Sequence, residues 1–100
     1  MFSRLNITKA NIIRPKINNK CLSGHHLYAV HLKPSIRTSV INYLKKKNIG
    51  VTINYTPVTK LNYYKRKYLL KDKHFPVSTL WGNGTISLPF YPKINKKIQR

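Results

Sequence analysis

"RTSVINYLKKKNIGVTINYTPV", residues 37–58, changes its hydrophobic period halfway along, and that change sets the fold class. Ile36, Val40, Ile41 and Leu44 recur at intervals near 3.6 residues, the stripe of an amphipathic helix. Ser35 is the expected N-cap, and Lys45, Lys46 and Lys47 fall in the last turn, where cations complement the helix dipole. Asn48 stands where the chain must leave the helix through a left-handed residue, a conformation that Asn tolerates second only to Gly. From Ile49 the pattern becomes β-branched and alternating, so a strand is expected over 49–55, ended by Pro57. Val51, Ile53 and Tyr55 then share one face and Thr52 and Asn54 the other. Asn54 is thereby a polar group near the exit of a largely buried strand.

Upstream, "HHLYAVHL" (25–32) alternates as a strand with Tyr28, Val30 and Leu32 on one face, closed by Pro34. Downstream, "KLNYYKRKYLLK" (60–71) puts Leu61, Tyr64 and Tyr68 at helical intervals. A short helix is expected there, burying those three and leaving Lys65, Arg66 and Lys67 solvated. "HFPVSTLWGNGT" (74–85) predicts one more helical turn, broken at Gly82 and Gly84. "TISLPFYP" (85–92) alternates Ile86, Leu88 and Phe90 as a third strand, in which Pro89 requires an edge or an interruption of the pairing. The tail, "KINKKIQR" (93–100), starts like a helix and stops abruptly. This order predicts an α+β domain: a small antiparallel or mixed three-stranded sheet with helices packed on one face. It occupies residues 25–100. Residues 1–24 carry no sustained period and are expected to form a basic N-terminal arm, poorly ordered or partner-dependent. Their asparagines and scattered apolar residues fit an exposed lead-in better than a transit peptide.

Twenty Lys and Arg face a single acid in 100 residues, a formal net charge of +19. Self-repulsion of that size calls for anions or an acidic partner nearby, unless the charge reflects a genome rich in Lys, Asn, Ile and Tyr codons. With 41% hydrophobic residues in periodic blocks, the chain is globular rather than disordered. No apolar run reaches the roughly 20 residues that span a bilayer. Cys21 is the single cysteine, so neither an internal disulfide nor a cysteine-based zinc site can form, and a reduced cytoplasmic setting is expected.

The same composition removes several chemistries. Asp72 is the one carboxylate side chain, so paired acids for glycoside hydrolysis, two-metal catalysis or a calcium loop do not exist. No serine sits in a nucleophile elbow. His25 and His26 point to opposite faces of a strand, and His31 lies roughly 20 Å further on at about 3.3 Å per residue, so these histidines form no local metal site. "GNG" lacks the flanks of a phosphate-cradling loop. "NYYKRKY" mixes cations with aromatics as a single-strand nucleic-acid platform does, which keeps a basic nucleic-acid-binding module as an alternative function.

Taken together, "HHLYAVHL", "RTSVINYLKKKNIGVTINYTPV", "YYKRKY", "FPVSTLWGNG" and "TISLPFYPKI" resemble the small C-terminal domain of the DegT/StrS family of pyridoxal-phosphate-dependent sugar aminotransferases. The similarity is to the branch acting on UDP-linked amino sugars, including pseudaminic acid synthesis, with stretches "HLY", "L-x-x-K-G-I-G-V", "H-Y-x-P-V" and "ISLP-x-[FY]-P". It covers about Gly24 to Ile94. The resemblance implies the small domain of a type I aminotransferase, in a dimeric enzyme that moves an amino group from glutamate to a keto sugar on UDP. In the family the lysine of the internal aldimine, the aspartate facing the pyridine nitrogen and the phosphate cup belong to a large domain, which would precede residue 1. No lysine here matches the Schiff-base position. A fragment is therefore expected that needs a large-domain partner, holds no pyridoxal phosphate alone, has no catalytic residue of its own and is inactive in isolation. Its last helix is incomplete. Asn54 stands where the family commonly has His, followed by Tyr55, and the resemblance places this pair on the substrate side of the cleft. Asn keeps a donor and an acceptor but carries no charge at neutral pH. The other role open to Asn54 is to satisfy backbone groups at the strand exit.

Overall fold

The computed structural model describes residues 12–99, so the first eleven residues of the expected arm lie outside it. The elements run β1 (Tyr28–His31), α1 (Pro34–Lys46), α2 (Asn62–Lys67), α3 (Pro76–Gly84), β2 (Thr85–Leu88) and α4 (Lys96–Gln99), with single 3-10 turns at Val58–Lys60 and Asp72–His74. The fold is α+β.

Helix α1 begins two residues earlier than Ser35 suggests. Pro34 takes the first helical position, where its fixed φ is already helical and its missing N–H would have had no partner. Lys33 becomes the cap, with no side-chain hydrogen bond, and Ser35 lies inside the first turn. With no cap and no acid at its start, α1 rests on packing: Leu44 is buried, and Ile36, Val40 and Ile41 lie against the core. Its end closes as the sequence predicts. Asn48 has φ 57°, the Ile49 N–H donates to the Leu44 carbonyl at 2.9 Å and the Asn48 N–H to the Lys45 carbonyl at 3.0 Å, a Schellman closure.

The sheet has two strands rather than three. β1 and β2 pair antiparallel, with Tyr28 opposite Leu88 and Val30 opposite Ile86. Val30, Leu32, Leu44, Ile86 and Leu88 form the buried core beneath α1, joined by Ile49 and Val51 at its margin. The stretch expected as a further strand over 49–55 supplies one rung, Thr52 against Ser87, with N–H to O distances of 3.1 and 2.8 Å. Both neighbouring rungs are pre-empted. Extending the register sets Pro89, which has no N–H, opposite Gly50, and sets Thr85 opposite Asn54, where the Thr85 N–H already closes α3 on the Trp81 carbonyl. The outer edge of β1 behaves alike. Ile13 makes one rung with His31, both bonds 2.8 Å, and Pro15 falls opposite Ala29.

Two further expectations are corrected. α3 is longer than one turn: it runs through Gly82 and ends at Gly84, and both glycines serve close approach. A Cβ on Gly84 would strike the Leu32 carbonyl oxygen and the His31 ring, and one on Gly82 would strike the Pro57 ring. Leu61, Tyr64 and Tyr68 are exposed, not buried. Helical spacing put them on one face of α2, but nothing in the described chain covers that face. The tyrosines contact each other instead, Tyr64 and Tyr68 stacking with centroids 6.3 Å apart and planes inclined by 13°.

Candidate functional site

Residues 52–60 run along the junction of α3 and β2, held at both ends. Thr52 is fixed to Ser87 by the single rung, and Pro57 lies against Gly82. Between these anchors sit the two residues singled out from the sequence. Asn54 is half-buried, and its carboxamide oxygen accepts a 2.6 Å hydrogen bond from the Thr52 hydroxyl. It therefore bonds a side chain, not the backbone groups a strand-exit role would serve. Tyr55 is 72% exposed, and the peptide joining it to Asn54 is cis.

After Pro57 the 3-10 turn carries the chain to Lys60, the one described lysine that is not fully exposed. Its ammonium donates to the Asn83 carboxamide oxygen at 2.6 Å and lies 3.6 Å from Asp72 Oδ2. One cation thus ties the 58–60 turn to α3 and to the 72–74 turn. A guanidinium nitrogen of Arg37 does the same from α1, donating to the Gly82 carbonyl at 2.7 Å. The Lys60 tie was not foreseen, although a signal for it existed: with one carboxylate in the chain, the lysine that reaches Asp72 is the informative one.

Behind the junction lies His31, 5% exposed, its ring 4.5 Å from the Trp81 ring centroid to centroid. Its Nδ1 is buried with no hydrogen-bond partner among the described residues, and burial pushes the pKa of the imidazole down. His25, His26 and His74 are exposed. Among the described residues no three His, Cys, Asp or Glu side chains come together as a metal site. The junction offers hydrogen-bonding groups at its rim, the Asn54 amide and the Tyr55 phenol. These can orient a polar ligand. The one buried imidazole lies behind this rim, where burial disfavours its charged form.

The described residues thus place a two-stranded sheet beneath helix α1, with the 52–60 segment along the outer edge of β2. Residues 5–100 match the DegT/DnrJ/EryC1/StrS aminotransferase family, and the chain belongs to it. It is similar to the spore coat polysaccharide biosynthesis protein SpsC of Bacillus subtilis, 28% identical over 89 residues covering 84% of this chain. It is also similar to the uncharacterized protein MJ1066 of Methanocaldococcus jannaschii, 33% identical over 88 residues covering 83% of this chain. The chain spans 22% of the length of MJ1066 and 23% of that of SpsC. These matches lend the nucleic-acid alternative no support.

The family depends in general on pyridoxal phosphate. The described residues do not fit that group. Lys60, the most enclosed lysine, is already committed to Asn83 and Asp72, and Asp72 is 50% exposed beside it instead of facing an inward ring nitrogen. No described residue is assigned to the cofactor. Among the described residues no helix is long and apolar enough to cross a membrane.

Proposed function

We propose that this chain forms the small domain of a pyridoxal-phosphate-dependent nucleotide-sugar aminotransferase. The parent enzyme transfers an amino group from glutamate to a UDP-linked keto sugar in the cytoplasm. The observation that carries this proposal is the family match over residues 5–100. It is supported by the resemblance of "NYTPV" and "TISLPFYP" to the UDP-amino-sugar branch, and by the polysaccharide role in the name of SpsC. In this role Asn54 and Tyr55 line the substrate side of the cleft, contributing neutral hydrogen-bonding groups. Cofactor, Schiff-base lysine and amino transfer belong to the large domain, so the chain alone is inactive.

A chimera tests this. The segment of SpsC that aligns with this chain is replaced by it, and conversion of glutamate to 2-oxoglutarate is followed beside the visible absorbance of bound pyridoxal. The chimera is expected to retain both signals and the isolated chain to give neither. A folded chimera that binds the cofactor without consuming glutamate, or an isolated chain that binds it, overturns the proposal. Within an active chimera, Asn54→His is expected to add a titration near the ordinary imidazole range to the pH profile of turnover.

A further inference from the structure

Residues 53–56, which carry Asn54 and Tyr55, make no backbone–backbone hydrogen bond with any described residue. The Asn54 side chain bonds Thr52, within the same segment. The place of this rim is therefore set by what holds its two ends. Upstream, Thr52 is locked to Ser87 by both bonds of the single rung. Downstream the chain joins no strand, and Lys60 supplies the hold instead. Its backbone N–H donates to the Pro57 carbonyl at 2.9 Å, closing the 3-10 turn, and its ammonium donates to the Asn83 carboxamide oxygen at 2.6 Å. One residue thus grips Pro57 with its backbone and α3 with its side chain. Pro57 is in turn seated on Gly82, where a Cβ would strike its ring. Thr59 offers no second polar anchor, since its hydroxyl is buried with no partner among the described residues.

The end of α3 is suited to receive a cation. It has no basic residue in its own last turn, and the carbonyl end of a helix attracts positive charge. Lys60 and Arg37 both reach that turn, at Asn83 and at the Gly82 carbonyl. The two partners of the Lys60 ammonium are unequal. The hydrogen bond to Asn83 is short and part-buried, whereas Asp72 lies at 3.6 Å and is 50% exposed, where solvent screens an ion pair. We propose that Lys60 is a positioning residue: through Asn83, more than through Asp72, it holds the downstream end of the 52–60 segment and so fixes where Asn54 and Tyr55 meet a substrate. That the rim meets a substrate rests on the function proposed above; the hold itself does not. Lys60 touches no reacting atom, so its loss displaces the rim and weakens substrate binding more than turnover.

The chimera supplies the functional arm of the test, with glutamate as the varied substrate. Lys60→Met and Asn83→Ala are each expected to raise KM for glutamate about tenfold while kcat changes less than about threefold, and Lys60→Arg to return KM to within about threefold. Asp72→Asn, and Lys45→Met at the exposed end of α1, are expected to leave both constants within about threefold. Partial unfolding lowers kcat at unchanged KM, and that outcome for Lys60→Met and Asn83→Ala overturns the proposal. An effect of Asp72→Asn as large as that of Asn83→Ala overturns it too, as does a KM that Lys60→Arg leaves as high as Lys60→Met. The full chain alone supplies the second arm, read by the nuclear magnetic resonance signals of the Asn54 carboxamide and the Tyr55 amide. Both are expected to move in Lys60→Met and in Asn83→Ala, by more than Asp72→Asn or Lys45→Met moves them. Asn83→Ala decides the matter should Lys60→Met not fold. Signals that stay in place overturn the hold, whatever the chimera does. If they move as expected while the chimera consumes no glutamate, the aminotransferase reading falls with the role in substrate binding, and the hold of Lys60 on the rim stands.

Discussion

Gly84 and His31 show how single residues set the junction. The helix end touches the strand because Gly84 has no side chain: an added Cβ meets the Leu32 carbonyl, a backbone atom that cannot swing aside. Gly84→Ala is expected to destabilise the fold by about 1–3 kcal/mol in urea unfolding. Gly50→Ala, where nothing lies within 4 Å, is the matched control and changes stability far less. His31 adds a pH dependence. Its folded pKa lies below the ordinary 6.5 because burial disfavours the charged ring, so below that value the unfolded chain takes up more protons than the folded one. Stability is complete above about pH 6.5 and declines as pH falls from there through the folded pKa. His31→Leu is expected to flatten that part of the curve, read as urea midpoints from pH 7 to 5. Asn54 was legible as a polar group needing a partner, and Asn48 as a left-handed exit. The burial of His31 was not, since alternation places a residue on a face without saying that Trp81 closes over it.

At the scale of elements, α1 was legible because its period, its lysines and its exit residue agree. The sheet reads from the sequence as three strands, and two of them form. What local pattern could not show is that Thr85 has already given its N–H to α3, since that depends on where the helix stops. Pro89 was a visible warning. Pro89→Ala is expected to restore a donor opposite Gly50 and extend the Thr52 rung. Amide exchange would then show the new Ala N–H slowed at least about tenfold relative to an open chain, whereas an unprotected amide would refute the pre-emption account. α2 carries the opposite lesson: spacing identified the face of Tyr64 and Tyr68 correctly, but a face is buried only if something lies against it.

The whole molecule exposes 8529 Å², where a folded chain of 11.7 kDa exposes about 5900 Å². Its radius of gyration is 15.6 Å against about 13 Å for a compact domain of this length. Few buried contacts oppose a net charge of +19. Stability is therefore expected to rise as salt is added from about 10 to about 150 mM, as the screening length shrinks from about 30 to about 8 Å. A urea midpoint insensitive to sodium chloride over that range would show that self-repulsion is not what limits the fold. The charge itself was the plainest feature of the sequence, and what it faces was the least legible.

The antiparallel register of the two strands has a temporal side. β1 ends at His31 and β2 begins at Thr85, so residues 32–84, an interval of 53, are made by the ribosome between them. At a synthesis rate of about 5–20 residues per second, Val30 and Leu32 wait roughly 3–10 s for Ile86 and Leu88 to arrive. During that pause α1, Ile49 and Val51 are the cover that the interval itself supplies, which leaves the nascent strand without its β2 partner and makes it a natural client for chaperones.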